Sequence, residues 1–363
     1  MTNLPSTTEG PDAAERRRKL LGVKLKALVS HHLGQQIVDD PSGFPNGAAI
    51  LVSQKAWVLA DGDASRSLGP ALSWAVRQSA TSLNLIADSD LGLLARRAGS
   101  FRFPISVWFP QDRDLLPAIA MPLPDLPRPS PEHLDLRSMI EEAGATVNVE
   151  HGVVFGDVCG LEVCRVVDHP TVGYFAELGD VSSGSALLDA VGPPGGLERR
   201  QYEGVQLEVG VGANDREAFQ LLHGDIPTVE ALRGVVEVVE MHRAAVARQH
   251  PLNRLGQERF LRWRLEQEPE LIGMSELVPA EPPVARPNLK DPVPCVARAE
   301  SDERVAMVVC STGIDLDLIP FAADVQEMYD NRVIVVTPER DLVSITRDLA
   351  GLLTSPVELR SVS

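Results

Sequence analysis

Residues 48–87 read AAILVSQKAWVLADGDASRSLGPALSWAVRQSATSLNLIA, and this stretch sets the fold class. Ala48–Ala60 holds two short apolar runs broken by Gln54-Lys55, the pattern of a strand or hairpin, and Asp61-Gly62-Asp63 ends it. Ser67–Ala80 then places Leu68, Leu72, Trp74, Ala75 and Val76 at helical spacing. Leu83–Ala87 returns to strand. Downstream, Leu91–Ala98 reads as a helix and Ile105–Phe109 as a strand. Strands separated by helices predict an α/β layer with parallel strands.

The last seventy residues follow the same order. Ala306–Cys310, Arg332–Val336 and Val357–Val362 read as strands, with helices at Ile319–Met328 and Leu342–Leu353. Acidic turns follow the first strand of each set, Asp61-Gly62-Asp63 and Asp315-Leu316-Asp317. With Ala60 and Cys310 aligned, the turns are about four residues out of step. A duplication and a shared architecture therefore both stay open.

The middle differs. A helix over Leu134–Ala143 precedes strands at Thr146–Val149, Val153–Val158 and Leu161–Val167, with Gly152 and Gly160 at the turns. Residues 168–203 are glycine-rich and read as a long loop. Val205–Val211 is the next strand. Helices follow at Asp215–His223 and from Thr228 to about His242, the latter with Glu230 and Glu237 outward and Leu232, Val235, Val236 and Val239 inward. Leu255–Gln267 is an arginine-rich helix. The organisation is an α/β chain: a disordered tail over 1–13, an α/β module over 14–116, a proline-rich linker over 117–132, a strand-rich α+β module over 133–278, a second proline-rich linker over 279–294, and a small parallel-sheet α/β module over 295–363.

Composition narrows the function. The chain has 363 residues, is 44% hydrophobic and carries a net charge of −17. A body this acidic repels phosphate backbones and anionic lipid, which argues against nucleic-acid and membrane binding. The charge is unevenly placed: in 1–26, Arg16, Arg17, Arg18, Lys19, Lys24 and Lys26 outnumber Glu9, Asp12 and Glu15. Ala14–Leu33 reads as an amphipathic helix docked on its own domain. No apolar run reaches the length of a membrane span, and the first residues lack the apolar core of a signal peptide. Cys159, Cys164, Cys295 and Cys310 fit reduced thiols in a cytoplasmic protein. Only five lysines occur, and none lies between Lys55 and Lys290, so the middle of the chain has no P-loop or Schiff-base lysine.

Four constellations remain. Glu162 and Glu208, each in a Leu-Glu-Val triplet on a predicted strand, could pair with Asp215 around a divalent ion, as in a restriction-endonuclease-like nuclease. The lysine such a site uses two residues after its second acid is missing, and the plainest reading puts these acids on a solvated sheet face. Glu217, His223 and Asp225 lie nearby. Ser311, Thr312, Gly313 and Asp315 lie beyond a strand's carboxyl end, where open parallel sheets bind ligands. The alternative there is that Asp315 or Asp317 caps the next helix. Arg259, Arg262, Trp263 and Arg264 form a basic aromatic set suited to an acidic partner or a second copy, or to pairing with nearby acids. Gly210–Asp215 reads as a tight strand-to-helix turn. No metal or cofactor is implied.

The stretches His250-Pro251-Leu252-Asn253-Arg254-Leu255, Arg286–Pro294 and Asp315–Asp324 resemble an uncharacterised actinobacterial protein family over nearly the whole chain. The resemblance implies no activity. The sequence thus points to a non-catalytic binding or scaffold protein that self-associates or takes a protein partner. The alternatives are a nuclease, active or decayed, in the central module and a nucleotide or small-ligand binder in the last one.

Overall fold

A computed structural model describes residues 11–176, 197–223, 228–243, 250–286, 293–302 and 304–363. The fold is α/β, with three mixed or antiparallel sheets. The chain divides into two compact units: Met1–Asp125 with Leu265–Val284 and Val293–Ser363, and Leu126–Arg264 with Ala285–Pro292. The first and last modules of the sequence thus share one unit.

The first unit opens with α1 (Pro11–Leu33), β1 (Ser42–Phe44), β2 (Gly47–Val52), β3 (Lys55–Ala60), α2 (Leu68–Arg77), β4 (Ser82–Ile86), α3 (Leu91–Gly99), β5 (Ile105–Gln111) and β6 (Asp114–Pro117). The sheet runs in sequence order; β3, β4 and β5 are parallel and the remaining pairs antiparallel. Alternation decides which side faces which helix. Ala56, Val58, Leu83 and Leu85 pack with α2 and α3, while Ile50, Trp57, Leu59 and Ile86 pack under Leu21, Leu25, Leu28 and Val29 of α1.

The second unit contains α4 (Pro131–Asp135), α5 (Arg137–Glu142), β7 (Thr146–Glu150), β8 (Val153–Val158), β9 (Leu161–Ala176), β10 (Leu197–Val209), α6 (Ala213–His223) and α7 (Thr228–Arg243). The boundary between the units falls within α8 (Gln257–Gln267). Leu136 separates α4 from α5, where the sequence predicts a single helix. β7–β10 form an antiparallel meander. Strand pairing continues through much of the expected 168–203 loop: β9 extends to Ala176 and β10 starts at Leu197, in unbroken register from Leu197↔Ala176 to Val209↔Cys164. One face of the sheet is apolar and packs Val154, Cys164, Val166, Leu207 and Val209 against Ile140, Leu232, Val236 and Val239.

The first unit is completed by β11 (Glu276–Ala280), β12 (Cys295–Glu300), β13 (Val305–Cys310), α9 (Leu318–Tyr329), β14 (Val333–Pro338), α10 (Ser344–Ala350) and β15 (Glu358–Val362). Here β13, β14 and β15 are parallel behind an antiparallel β11–β12–β13 edge. This repeats the N-terminal topology. β3 and β13 are 250 positions apart, and so are the first residues of α2 and α9, with Pro70 and Pro320 at matching places. At this offset the acidic turns are four residues out of step, while the helix starts align. The two halves meet about a local two-fold. Phe101 and Leu353, which follow α3 and α10, form an antiparallel bridge, flanked by Arg102 N–H to Leu352 O and Thr354 N–H to Ser100 O, both 2.8 Å. α2, α3, α9 and α10 share one apolar cluster between the two sheets.

Candidate functional site

The polar face of the β7–β10 sheet carries Asn148, Glu150, Asp157, Glu162, Arg165 and Glu208. A bulge positions them. Asp157 pairs with Glu162 but Gly156 with Cys164, so Val163 is an extra residue in β9. The bulge breaks the two-residue alternation and brings Glu162 and Arg165, three apart, to the same side. Arg165 grips Glu162 with Nε–Oε1 2.8 Å and Nη2–Oε2 3.0 Å. Arg216, from α6, donates to Glu162 at 3.1 Å and to Glu208 at 3.2 Å. The two acids do converge, but on a guanidinium rather than on a metal. Glu162 is 1% exposed, which corrects the expectation that it lines a solvated face. Asp215 turns away and accepts from Val211 N–H at 2.7 Å, closing the Gly210–Asp215 turn.

The same network takes in the arginine helix. Arg259 and Arg262 are each 2% exposed. Arg259 pairs with Glu150, lies 3.6 Å from Glu162, and stacks its guanidinium 4.6 Å from the Phe155 ring centre. Arg262 lies 3.5 Å from Glu150. Gly160 makes this docking possible: a Cβ there would sit 2.4 Å from the Arg259 carbonyl, and its φ of +72° suits glycine. Burial opposes ionisation of Glu150, yet Arg259 and Arg262 hold its carboxyl below the usual value. Burial wins at Asp157, whose carboxyl is pushed up despite Arg262 and Arg259. Trp263 and Arg264 are half-buried, and Trp263 stacks on Phe260 at 5.5 Å. Two of the four residues expected to face a partner are therefore buried and ion-paired.

Arg243 closes the region from the other side. Its guanidinium donates to the carbonyls of Cys159, Leu252, Leu255 and Gly256 at 2.8–2.9 Å. Burial pulls its pKa down to about 10. The sequence gives no hint of this role, because carbonyl acceptors leave no pattern in side chains.

In the first unit, the strand-tip loop after β13 is held by its own neighbours. Ser311 is buried and its N–H bonds to Val336 O; Gly313 N–H bonds to Asp341 at 2.7 Å. Thr312 is half-buried. Asp315 accepts from Arg66 at 2.7 Å and from Asp317 N–H at 3.0 Å. Asp317 does not cap its own helix. It accepts instead from Gly69 N–H of α2 at 3.0 Å and from Arg97 at 2.7 Å, and Arg97 also bonds Asp324 at 2.7 Å. A Cβ on Gly69 would lie 2.0 Å from Leu316 O, so the first turn of α2 touches the loop before α9 backbone to backbone. Burial pushes Asp317 up to about 6, against the pull of Arg97. Among the described residues, no group of three or more His, Cys, Asp or Glu could hold a metal. Asp225 lies outside the described residues.

What the second unit leaves open is apolar. A groove of about 930 Å³ runs along α7, lined by Val211, Phe219, Val235, Val238, Leu252 and Leu255, with Asp215, Glu230, Glu237 and Arg233 at its rim. Val238 is 51% exposed and Met241, one turn on, 70%. The signal is present in the sequence as an apolar stripe on α7 wider than the sheet needs, since Val238 and Met241 fall outside the buried set Leu232, Val236 and Val239. None of the protein-family models, curated proteins or solved structures compared with this chain matches it.

Proposed function

We propose that this chain is a non-catalytic binding protein that self-associates, and that the α7 groove is its contact surface. The observation that carries the reading is an apolar groove with large exposed side chains on an otherwise strongly acidic molecule. Exposed apolar patches of this kind mark interaction sites. The charged groups that would argue for chemistry favour the same view, because Glu162 and Glu208 share Arg216, and Asp315 is held by Arg66. A nuclease would need a cation where the Arg216 guanidinium lies. No described helix is long and apolar enough to cross a membrane. A cytoplasmic location belongs to the same proposal and suits the four free thiols.

Sedimentation velocity on the full chain tests the reading. The wild type is expected to shift to a larger species with concentration, and Val238→Glu to remain monomeric with unchanged circular dichroism. A wild type that stays monomeric at every concentration would overturn self-association.

A further inference from the structure

We infer that the α7 groove receives the outer face of α1 from a second copy of this chain. The inference rests on the self-association proposed above and names its two surfaces.

Three observations support it. First, α1 has two apolar faces. Leu21, Leu25, Leu28 and Val29 pack on its own sheet. Leu20 and Val23, 64% and 68% exposed, lie on the opposite side with Arg16 and Ala27, at the 4-3-4 spacing of one helical stripe. Second, charge is complementary. The groove rim carries Asp215, Glu230 and Glu237 against Arg233. The α1 face carries Arg16 and Lys19, with Glu15 bridging to Lys19, in a stretch, 1–26, where bases outnumber acids. Long-range attraction between copies of so acidic a protein needs such a segment. Third, Gly234 lies inside α7 on the groove wall, and a Cβ there would meet nothing within 4 Å. Glycine in a helix interior is unfavourable, and no neighbour among the described residues calls for it here. A helix crossing at Gly234, with Ala27 opposite, would use the missing side chain for close approach.

The lengths agree. From Arg16 to Ala27 is about 17 Å of helix and from Glu230 to Val239 about 14 Å, at 1.5 Å per residue.

The test uses full-length chain and sedimentation velocity. Leu20→Glu with Val23→Glu, and separately Val238→Glu, should each abolish assembly while leaving circular dichroism unchanged. Mixing these two variants should restore a one-to-one species, because one intact α1 face then meets one intact groove. Gly234→Ala should raise the melting temperature yet weaken assembly at least several-fold, two effects that a merely structural residue would not separate. If the α1 variant assembles like wild type while Val238→Glu does not, the groove takes another occupant and this inference fails, with self-association intact. If the wild type is monomeric throughout, both fail. If the mixture remains monomeric, α1 and the groove are not partners.

Discussion

Single residues show how the charged chemistry has been redirected into structure. Arg216 takes the position between Glu162 and Glu208 that a cation would need. Asp317 serves the start of α2 rather than its own helix. The Asp317 shift has a consequence for stability. Its folded pKa, about 6, lies above the ordinary aspartate value of 3.8, so the folded state binds the proton more tightly between those values. For this group, stability rises as pH falls through 6 and is lost as pH climbs above it. Wild type should therefore gain on Asp317→Asn, by an amount on the order of 1–3 kcal/mol, when denaturant melts are taken at pH 5 rather than pH 8. A difference that is flat or opposite in sign would show that Arg97 dominates instead. Residues of this kind were half legible. The acids could be picked out as a set, but their arginine partners lie 54 positions away at Arg216 and 220 positions away at Arg97, beyond any local pattern.

Elements were more legible, because alternation and helical spacing are local. The β2–β3 hairpin, α2, β4, α3 and β5 appear where the apolar period places them, since each buries one stripe against the same core. The extended β9–β10 pairing was missed, as Gly and Pro in 168–203 look like loop residues while backbone pairing needs no side-chain signal. The bulge at Val163 was missed for a related reason: it shifts Arg165 to the side of Glu162, where strict alternation puts it opposite. Docking of α8 depends on one glycine. Gly160→Ala would force a Cβ against the Arg259 backbone and strain a positive φ, so a loss of about 2–4 kcal/mol in unfolding free energy is expected. Near-UV circular dichroism should also lose part of the Trp263 signal. A variant as stable as wild type would mean that α8 does not need this close approach.

At the scale of the whole chain, the repeated strand-helix order was legible in outline, and aligning Ala60 with Cys310 already gives the 250-residue offset seen between β3 and β13. At that offset the acidic turns are four residues out of step, whereas the helix starts coincide and the Phe101–Leu353 bridge joins the two halves. The equivalent strand-tip loops, where an open parallel sheet would hold a ligand, meet each other through Arg66 and Asp315. With the described charged clusters paired internally, the apolar groove along α7 is a surface suited to recognition. The most direct measurement is hydrogen–deuterium exchange of the full chain across a concentration series. Amides of Glu230–Met241 should slow as concentration rises, while those of Met307–Cys310 in the buried β13 strand stay constant. Exchange in α7 that is the same at every concentration would contradict self-association through the groove.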